Sequence, residues 1–323
     1  MSPHPLPLLA LTAGDPAGIG PEIALAALAD ERVRSAVRIA VLGPGGLRPA
    51  GVPLLGGGAG SLAGVEGAAW IDTGGPAHPE LGRAQADCGR AALAALQRAA
   101  ELATAGAVDA LVTGPVSKEA LHLAGERVEG QTQLLGRWAG VPEVEMMAVA
   151  GELRVLLCTR HLPLAEALGQ ITEERVLGHL RLLDRTLRGW GFAAPRLGLA
   201  GLNPHAGEGG ILGTEELDVL APAVARARAD GIDVSDPQSP DALFLEPARF
   251  DGVLALYHDQ AFIPVKLLGR GRALTVLLGL PYLRVSPAHG TAFDIAGTGR
   301  ASPENLIAAL LQAGEWAIRS SRR

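Results

Sequence analysis

A recurring alternation sets the first constraint on this chain. Apolar runs of strand length fall at 8–11, 37–42, 110–112, 155–158, 196–202 and 253–256, and stretches of helical character separate them. The clearest helix is predicted over 83–104, where Ala91, Leu93, Ala94, Leu96 and Leu102 make an apolar face and Gly106 supplies a stop. Further helices are predicted over 173–188, 214–229 and 303–318. Strands alternating with helices of this length imply right-handed crossovers and a largely parallel sheet covered on both faces. The glycine- and proline-rich piece 44–67 reads as irregular or as short strands.

At 323 residues the chain exceeds what one small core organises, so two lobes of one α/β unit are expected. A 48% apolar content with a mean hydropathy of +0.24 excludes a mainly disordered chain. Aromatic residues make up 3%, and the net charge is -6, so a nucleic-acid binder, with its basic face and stacking aromatics, is disfavoured and small ligands are favoured. Two cysteines, Cys88 and Cys158, are too few for a disulfide framework or a cysteine-rich zinc module, which fits a reducing cytosol. The opening Met1-Ser2-Pro3-His4 carries no basic segment before an apolar core, and 51–70 is too rich in glycine to span a membrane. A soluble, cytoplasmic protein is expected.

In open α/β sheets, ligands bind beyond the C-terminal ends of the strands. Three histidines follow strand-like runs directly: His161 after Leu156-Leu157-Cys158-Thr159-Arg160, His205 after Leu202-Asn203-Pro204, and His258 after Leu254-Ala255-Leu256-Tyr257. Loops opening on one sheet edge can gather three imidazoles, a donor set suited to zinc or another divalent metal. On the residues alone, three loop histidines bonded to backbone account for the pattern equally well. Two glycine-containing turns, Gly14 to Glu22 and Thr113 to Lys118, lead from strands into helices. Neither matches a Walker A loop or G-x-G-x-x-G, and each is either structural or an approach to an anion. The segment from His289 to Gly299 is a glycine-punctuated loop carrying Asp294, able to approach a ligand and accept hydrogen bonds from a ribose.

Taken in order, these segments resemble the 4-hydroxythreonine-4-phosphate dehydrogenase family. Its pattern is matched by Gly14 to Glu22, Thr113 to Lys118, Leu202-Asn203-Pro204-His205-Ala206-Gly207-Glu208-Gly209-Gly210, Tyr257-His258-Asp259-Gln260 and Gly279-Leu280-Pro281. The resemblance runs from about Leu9 to the end. It implies a two-lobed α/β/α architecture of the isocitrate and isopropylmalate dehydrogenase kind rather than a Rossmann domain. One lobe would comprise 1–128 with 270–323 and carry the cofactor loop, and the other 129–269, with the metal histidines and dimer contacts. It also implies that His161, His205 and His258 are metal ligands, and that Lys266 and Asp241 are catalytic. Gln131, Thr132, Lys266, Thr275 and Arg284 would contact substrate, and His289, Gly290, Asp294, Gly297 and Asn305 the cofactor. NAD or NADP, a divalent metal (zinc, magnesium, manganese or cobalt) and a homodimer with shared active sites follow from the same resemblance.

Departures from the family pattern bear on the substrate. Gln131 stands where a histidine is usual, Leu274-Thr275 replaces Val-Asn, and Val285-Ser286-Pro287-Ala288-His289 replaces Thr-Ser-x-Asp-His. The implied reaction is oxidation with decarboxylation of 4-phosphooxy-L-threonine to 3-amino-2-oxopropyl phosphate. Relatives oxidise 4-phosphoerythronate, 4-phosphothreonate or an aromatic cis-dihydrodiol. Outside this class stand a metal-dependent hydrolase, for which no H-E-x-x-H helix is present, and a non-catalytic nucleotide-binding protein.

Overall fold

Strands form where the apolar runs fall, and several more form between them. The computed structural model describes residues 6–56, 59–128, 130–141 and 143–321. Residues 1–5, which carry the signal-sequence expectation, and positions 57 and 58 of the glycine-rich segment lie outside them. In chain order the strands are β1 (Leu8–Thr12), β2 (Arg38–Gly43), β3 (Leu54–Leu55), β4 (Ala68–Asp72), β5 (Ala110–Thr113), β6 (Glu145–Ala150), β7 (Leu153–Leu157), β8 (Arg196–Ala200), β9 (Asp233–Gln238), β10 (Gly252–Ala255), β11 (Leu274–Leu278) and β12 (Arg284–Pro287). The strands β1, β5 and β10 are buried at every residue, as expected of strands covered on both faces.

The chain divides into two units, one holding the described residues up to Val144 together with Gly279–Ser321, the other Glu145–Leu278. The divisions fall after Val144 and Leu278 rather than at the expected 128/129 and 269/270. The reason is pairing: β11 lies antiparallel on β6, with Leu274 opposite Val149 and Leu278 opposite Glu145, so both strands enter the second unit from their first residues.

In the first unit the strands run β3-β4-β2-β1-β5-β12, every neighbouring pair parallel. Two long helices, Ala86–Thr104 and Glu304–Ser321, pack over β1 and β5 with different helical neighbours. Ala86–Thr104 buries a stripe of small side chains, Ala91, Ala92, Ala95, Ala99 and Ala103. Gly89 lets it cross the helix Lys118–Leu123 closely, since a Cβ there would lie 2.0 Å from the Ala120 carbonyl oxygen.

In the second unit the order is β11-β6-β7-β10-β8-β9. The pairs β11/β6 and β6/β7 are antiparallel, and β7, β10, β8 and β9 are mutually parallel. The antiparallel edge is the exception within the largely parallel arrangement expected, because only Gly151 and Glu152 separate β6 from β7, too few for a crossover, and Gly151 takes a left-handed φ of 59°. The helix His258–Gly269 packs on β6 and β7, its Ala261, Phe262 and Val265 joining Val155, Leu157, Ala255 and Leu243 in the core. The helix Glu173–Gly189 begins at Thr172, whose side chain accepts from the Arg175 N–H. Its Leu183 and Leu187 close on the bare Gly252 of β10. Among the described residues no helix is long and apolar enough to cross a membrane.

Glu145 opens β6 almost wholly buried. Its Oε1 lies 3.4 Å from His179 Nε2 and its Oε2 3.5 Å from Arg160 Nε, while Arg175 Nε donates to the Cys158 carbonyl at 2.8 Å. Burial alone would raise the Glu145 pKa, but His179, Arg160 and Arg175 outweigh it and hold the carboxyl below the ordinary glutamate range. A depressed folded pKa adds stability above the unfolded value, and that stability is lost as pH falls through the folded one. Glu145→Gln is therefore expected to lower stability near pH 7 by about 3 kcal/mol, with the gap to wild type narrowing as pH drops below about 4.3. Urea melts of both proteins at pH 7 and pH 3.5 check this; an equal gap at both would show that the charge is immaterial.

Candidate active site

The second unit delivers four chemically capable side chains from one sheet edge. Because β7, β10, β8 and β9 are adjacent and parallel, their C-terminal ends open on the same side, followed by His161, His258, His205 and Asp241 respectively. Polar groups stitch those ends together. Thr159 Oγ1 donates to the Leu256 carbonyl at 2.7 Å, joining the ends of β7 and β10. The buried Gln260 accepts from the Leu256 N–H at 2.6 Å and donates to the Gly201 carbonyl at 2.7 Å, joining β10 to β8. Gly201 N–H in turn donates to the Gln238 carbonyl at 2.7 Å, joining β8 to β9.

The structure brings His161 and His258 together, with ring centroids 5.5 Å apart. The Asp259 carboxylate lies 2.7 Å from His258 Nδ1 and can only accept, so Nδ1 is the donor, and in a neutral imidazole Nε2 is then the atom left to act as a ligand. Phe262 stacks under His258 at 4.6 Å, and Lys266 Nζ sits 5.7 Å from the Phe262 ring, so these three residues, spaced by four, share one helix face. A cavity opens beside them, lined by Thr159, Arg160, His161, Tyr257, His258 and Asp259. His205 stands apart from this pair and beside Asp241, whose carboxyl is held below the ordinary range first by the Ser239 hydroxyl donating to Oδ1 and, to a lesser degree, by His205. Among the described residues no three His, Cys, Asp or Glu side chains are grouped as a ready cage for an ion. Thr275 is buried in β11 opposite Ala148.

The donor chemistry nonetheless fits a divalent metal. Two imidazoles bound to one ion at about 2.0–2.1 Å hold their centroids roughly 5 Å apart, close to the His161–His258 separation, and the carboxylate behind His258 fixes the tautomer a ligand needs.

The first unit holds a different device. Arg284 opens β12 only 4% exposed, and one terminal nitrogen donates to Thr113 Oγ1 at 2.6 Å and to Gln131 Oε1 at 3.2 Å. Both partners are neutral, and Arg284 Nε has no partner. Burial pulls the guanidinium pKa down to about 10, and burial pushes the neighbouring Tyr282 up to about 12. A buried cation with neutral partners and an unused donor has the chemistry to accept an anion. Gln131 Nε2 is engaged too, donating to the Gly114 carbonyl at 3.0 Å, so this amide binds the protein rather than projecting free. Thr132 follows it in the helix Gln131–Ala139, half-buried.

The turn from Gly14 to Glu22 packs against the loop that follows β12. Ile19 N–H donates to the Thr291 carbonyl at 3.0 Å, Gly297 N–H donates to Glu22 Oε1 at 3.2 Å, and a Cβ at Gly18 would meet the Thr291 side chain at 2.9 Å. His289 Nδ1 lies 3.0 Å from the Gly290 carbonyl, Asp294 is exposed, and Asn305 is buried with Oδ1 unpartnered. Thr159 and Gln260 were not singled out by the sequence. The available signal was their place beside His161 and His258 at the ends of apolar runs.

Residues 59–313 match the family model described as pyridoxal phosphate biosynthetic protein PdxA. The chain is 42% identical to a 4-hydroxythreonine-4-phosphate dehydrogenase of Geobacter metallireducens, over 98% of this chain and 97% of the relative. It is 40% identical to a D-threonate 4-phosphate dehydrogenase of Cupriavidus necator, over 97% and 98% respectively. The crystal structure of 4-hydroxythreonine-4-phosphate dehydrogenase from Klebsiella pneumoniae superposes with a TM-score of 0.87 at 37% identity, covering 96% of this chain and 99% of that one. Matches of this extent establish that the chain belongs to the PdxA family.

Proposed function

We propose that the chain is an NAD(P)- and divalent-metal-dependent dehydrogenase that oxidises the secondary alcohol of 4-phosphooxy-L-threonine, with decarboxylation to 3-amino-2-oxopropyl phosphate. The observation that carries this reading is the delivery of His161, His258, His205 and Asp241 from four neighbouring parallel strand ends. When bound, a divalent ion held by the histidines supplies Lewis acidity at the substrate hydroxyl, and a nicotinamide accepts the hydride. Zinc, magnesium, manganese and cobalt are the candidate ions.

Within this reading each unit supplies part of the chemistry. Arg284 grips an anionic end of the substrate, with Nε free to make the second arm of a bidentate bond and Thr113 and Gln131 holding the guanidinium in plane. Thr132 adds a hydroxyl contact. In the other unit Lys266 Nζ offers a point charge and a group able to carry a proton, aligned with His258 along the helix. Asp241, kept ionised by Ser239, serves as a charge partner rather than a base. The loop from His289 to Gly297, with Asn305 behind it, is assigned to the cofactor.

One observation favours a second substrate. The amide of Gln131 is engaged by Gly114 and Arg284 and adds no charge of its own, so the positive charge beside it comes from Arg284. That suits D-threonate 4-phosphate as well as the amino acid, and the Cupriavidus relative is named for that substrate.

We also assign a homodimer with shared active sites to a cytoplasmic protein. Large apolar side chains surround the histidines in the open: Leu164 is 54% exposed, Ile263 59% and Leu267 70%, a surface suited to burial against a second copy.

Replacing His161, His205 or His258 with Ala is expected to remove bound metal and lower kcat by several orders of magnitude. Metal analysis beside initial rates decides this; wild-type metal content in all three variants would sink the ligand assignment. Arg284→Leu is expected to raise the KM for phosphorylated substrates more than a hundredfold while leaving the thermal midpoint of the ligand-free protein unchanged or higher, because it removes a buried charge that lacks a counter-ion. A lower midpoint with unaltered KM would make Arg284 structural. Sharing of sites is checked by mixing His258→Ala with His205→Ala protein, altered at two proposed ligands that stand apart within one chain: partial activity in verified mixed dimers is expected, and none if each site is complete within one chain.

A further inference from the structure

His205 rides on an unusual piece of backbone. Six consecutive residues from His205 to Gly210 have positive φ, of 53°, 52°, 79°, 46°, 65° and 98°, and three of them, His205, Ala206 and Glu208, carry side chains. Such conformations cost about 1–2 kcal/mol per non-glycine residue, so they persist only where the surroundings over-determine them. Backbone bonds at the turn include Ala206 N–H to the Asn203 carbonyl at 3.1 Å, Leu212 N–H to the Gly207 carbonyl at 3.1 Å, and Ile211 N–H to the Glu208 carbonyl at 3.4 Å.

The stronger restraint comes from one carboxylate. Glu216 is 5% exposed and accepts three hydrogen bonds: from the Leu202 N–H and the Asn203 N–H at Oε1, each at 2.7 Å, and from Asn203 Nδ2 at Oε2, at 2.9 Å. Asn203 Nδ2 also reaches Glu215 Oε2 at 2.7 Å. Glu216 opens a π-helical turn, Glu216–Leu220, a local widening common at functional positions. The turn closes down on the carboxylate because position 207 is glycine: a Cβ there would lie 2.8 Å from Glu216 Oε2. Just upstream, Gln260 grips the Gly201 carbonyl. Residues 201, 202 and 203, the three that precede Pro204 and His205, are thus each fixed by a buried side chain.

We propose that Glu216 is a positioning residue for metal binding: its carboxylate clamps the backbone leading into the left-handed turn and so holds the His205 imidazole where it can serve as a ligand. The inference rests on the metal reading given above. It predicts that Glu216 tunes ion affinity without touching the ion. Removing a support behind a ligand typically costs 10- to 100-fold in metal affinity.

The test is a zinc titration of the purified full-length protein against a chromophoric chelator, with thermal midpoints recorded without metal. Glu216→Ala is expected to weaken zinc binding 10- to 100-fold. Glu216→Gln, which keeps one acceptor oxygen, should fall between it and wild type. Asn203→Ala, which removes only the bond to Oε2 and its companion to Glu215, should weaken binding several-fold, and it decides the matter if the Glu216 variants do not fold. Asp184→Ala, which removes another buried carboxylate's 2.8 Å bond to Arg188 elsewhere in the unit, should lower the midpoint and leave zinc affinity unchanged. Wild-type zinc affinity in the Glu216 and Asn203 variants, whatever their midpoints, would overturn the proposal and leave Glu216 a structural residue. Wild-type affinity in His205→Ala and His258→Ala would overturn the metal reading itself, and this inference with it.

Discussion

Parallel pairing of β7, β10, β8 and β9 is the constraint on which the second unit's chemistry depends. Parallel strands point the same way, so the segments that leave their C-terminal ends emerge on one edge, however far apart they lie in the chain. Residues separated by up to 97 positions, from His161 to His258, become neighbours through that geometry alone. An edge of free strand ends would fray, and here it does not. Thr159, Gln260 and the Gly201 amide cross-link successive ends through short hydrogen bonds that are buried or partly buried, so the loops start from a rigid frame. Gln260 shows the economy of the arrangement, since one amide satisfies a donor and an acceptor on two strands while its neighbour His258 faces the cavity.

The two units place charge in opposite ways. In the second, three ionisable groups that are buried or near the cavity have partners: Glu145 has His179 and Arg160, His258 has Asp259, and Asp241 has Ser239. In the first, Arg284 is buried among neutral partners with one donor unused. A guanidinium left in that state costs the protein stability, because its desolvation is not offset by a counter-ion. The neutral Gln131 holds Arg284 on one side and the Gly114 carbonyl on the other, so it brings no compensating charge to the guanidinium.

Backbone strain is concentrated rather than spread. The left-handed turn at His205 is the longest run of positive φ among the described residues, and it lies directly upstream of the π-helical turn that begins with Glu216. Glycine at 207 and 209 relieves part of that strain, and hydrogen bonds to Glu216 secure the approach to it. Neighbouring elements therefore stabilise what the turn's own sequence would not.

Much of the frame was legible from the amino-acid order. Apolar runs marked β1, β2, β5, β7, β8 and β10, and the helices predicted over 83–104, 173–188 and 303–318 formed within a few residues of those bounds, because periodic burial is a local property that a sequence displays directly. The placing of His161, His205 and His258 at strand ends was legible for the same reason. Strands such as β6, β11 and β12 were not, since short, fully or nearly buried segments have no alternation to read, and their assignment depends on the partners they find. The helix carrying His258, Phe262 and Lys266 was hidden by Pro264 within it. Strand order, and with it the neighbours of each histidine, was decided by tertiary packing: His161 met His258, while His205 came to stand with Asp241. So were the capture of Gln131 by Arg284 and the clamp of Glu216 on the turn it supports. Hydrogen bonds between residues far apart in the chain leave no periodic trace; the sequence supplied the donors and acceptors, and only the folded backbone brought them within reach.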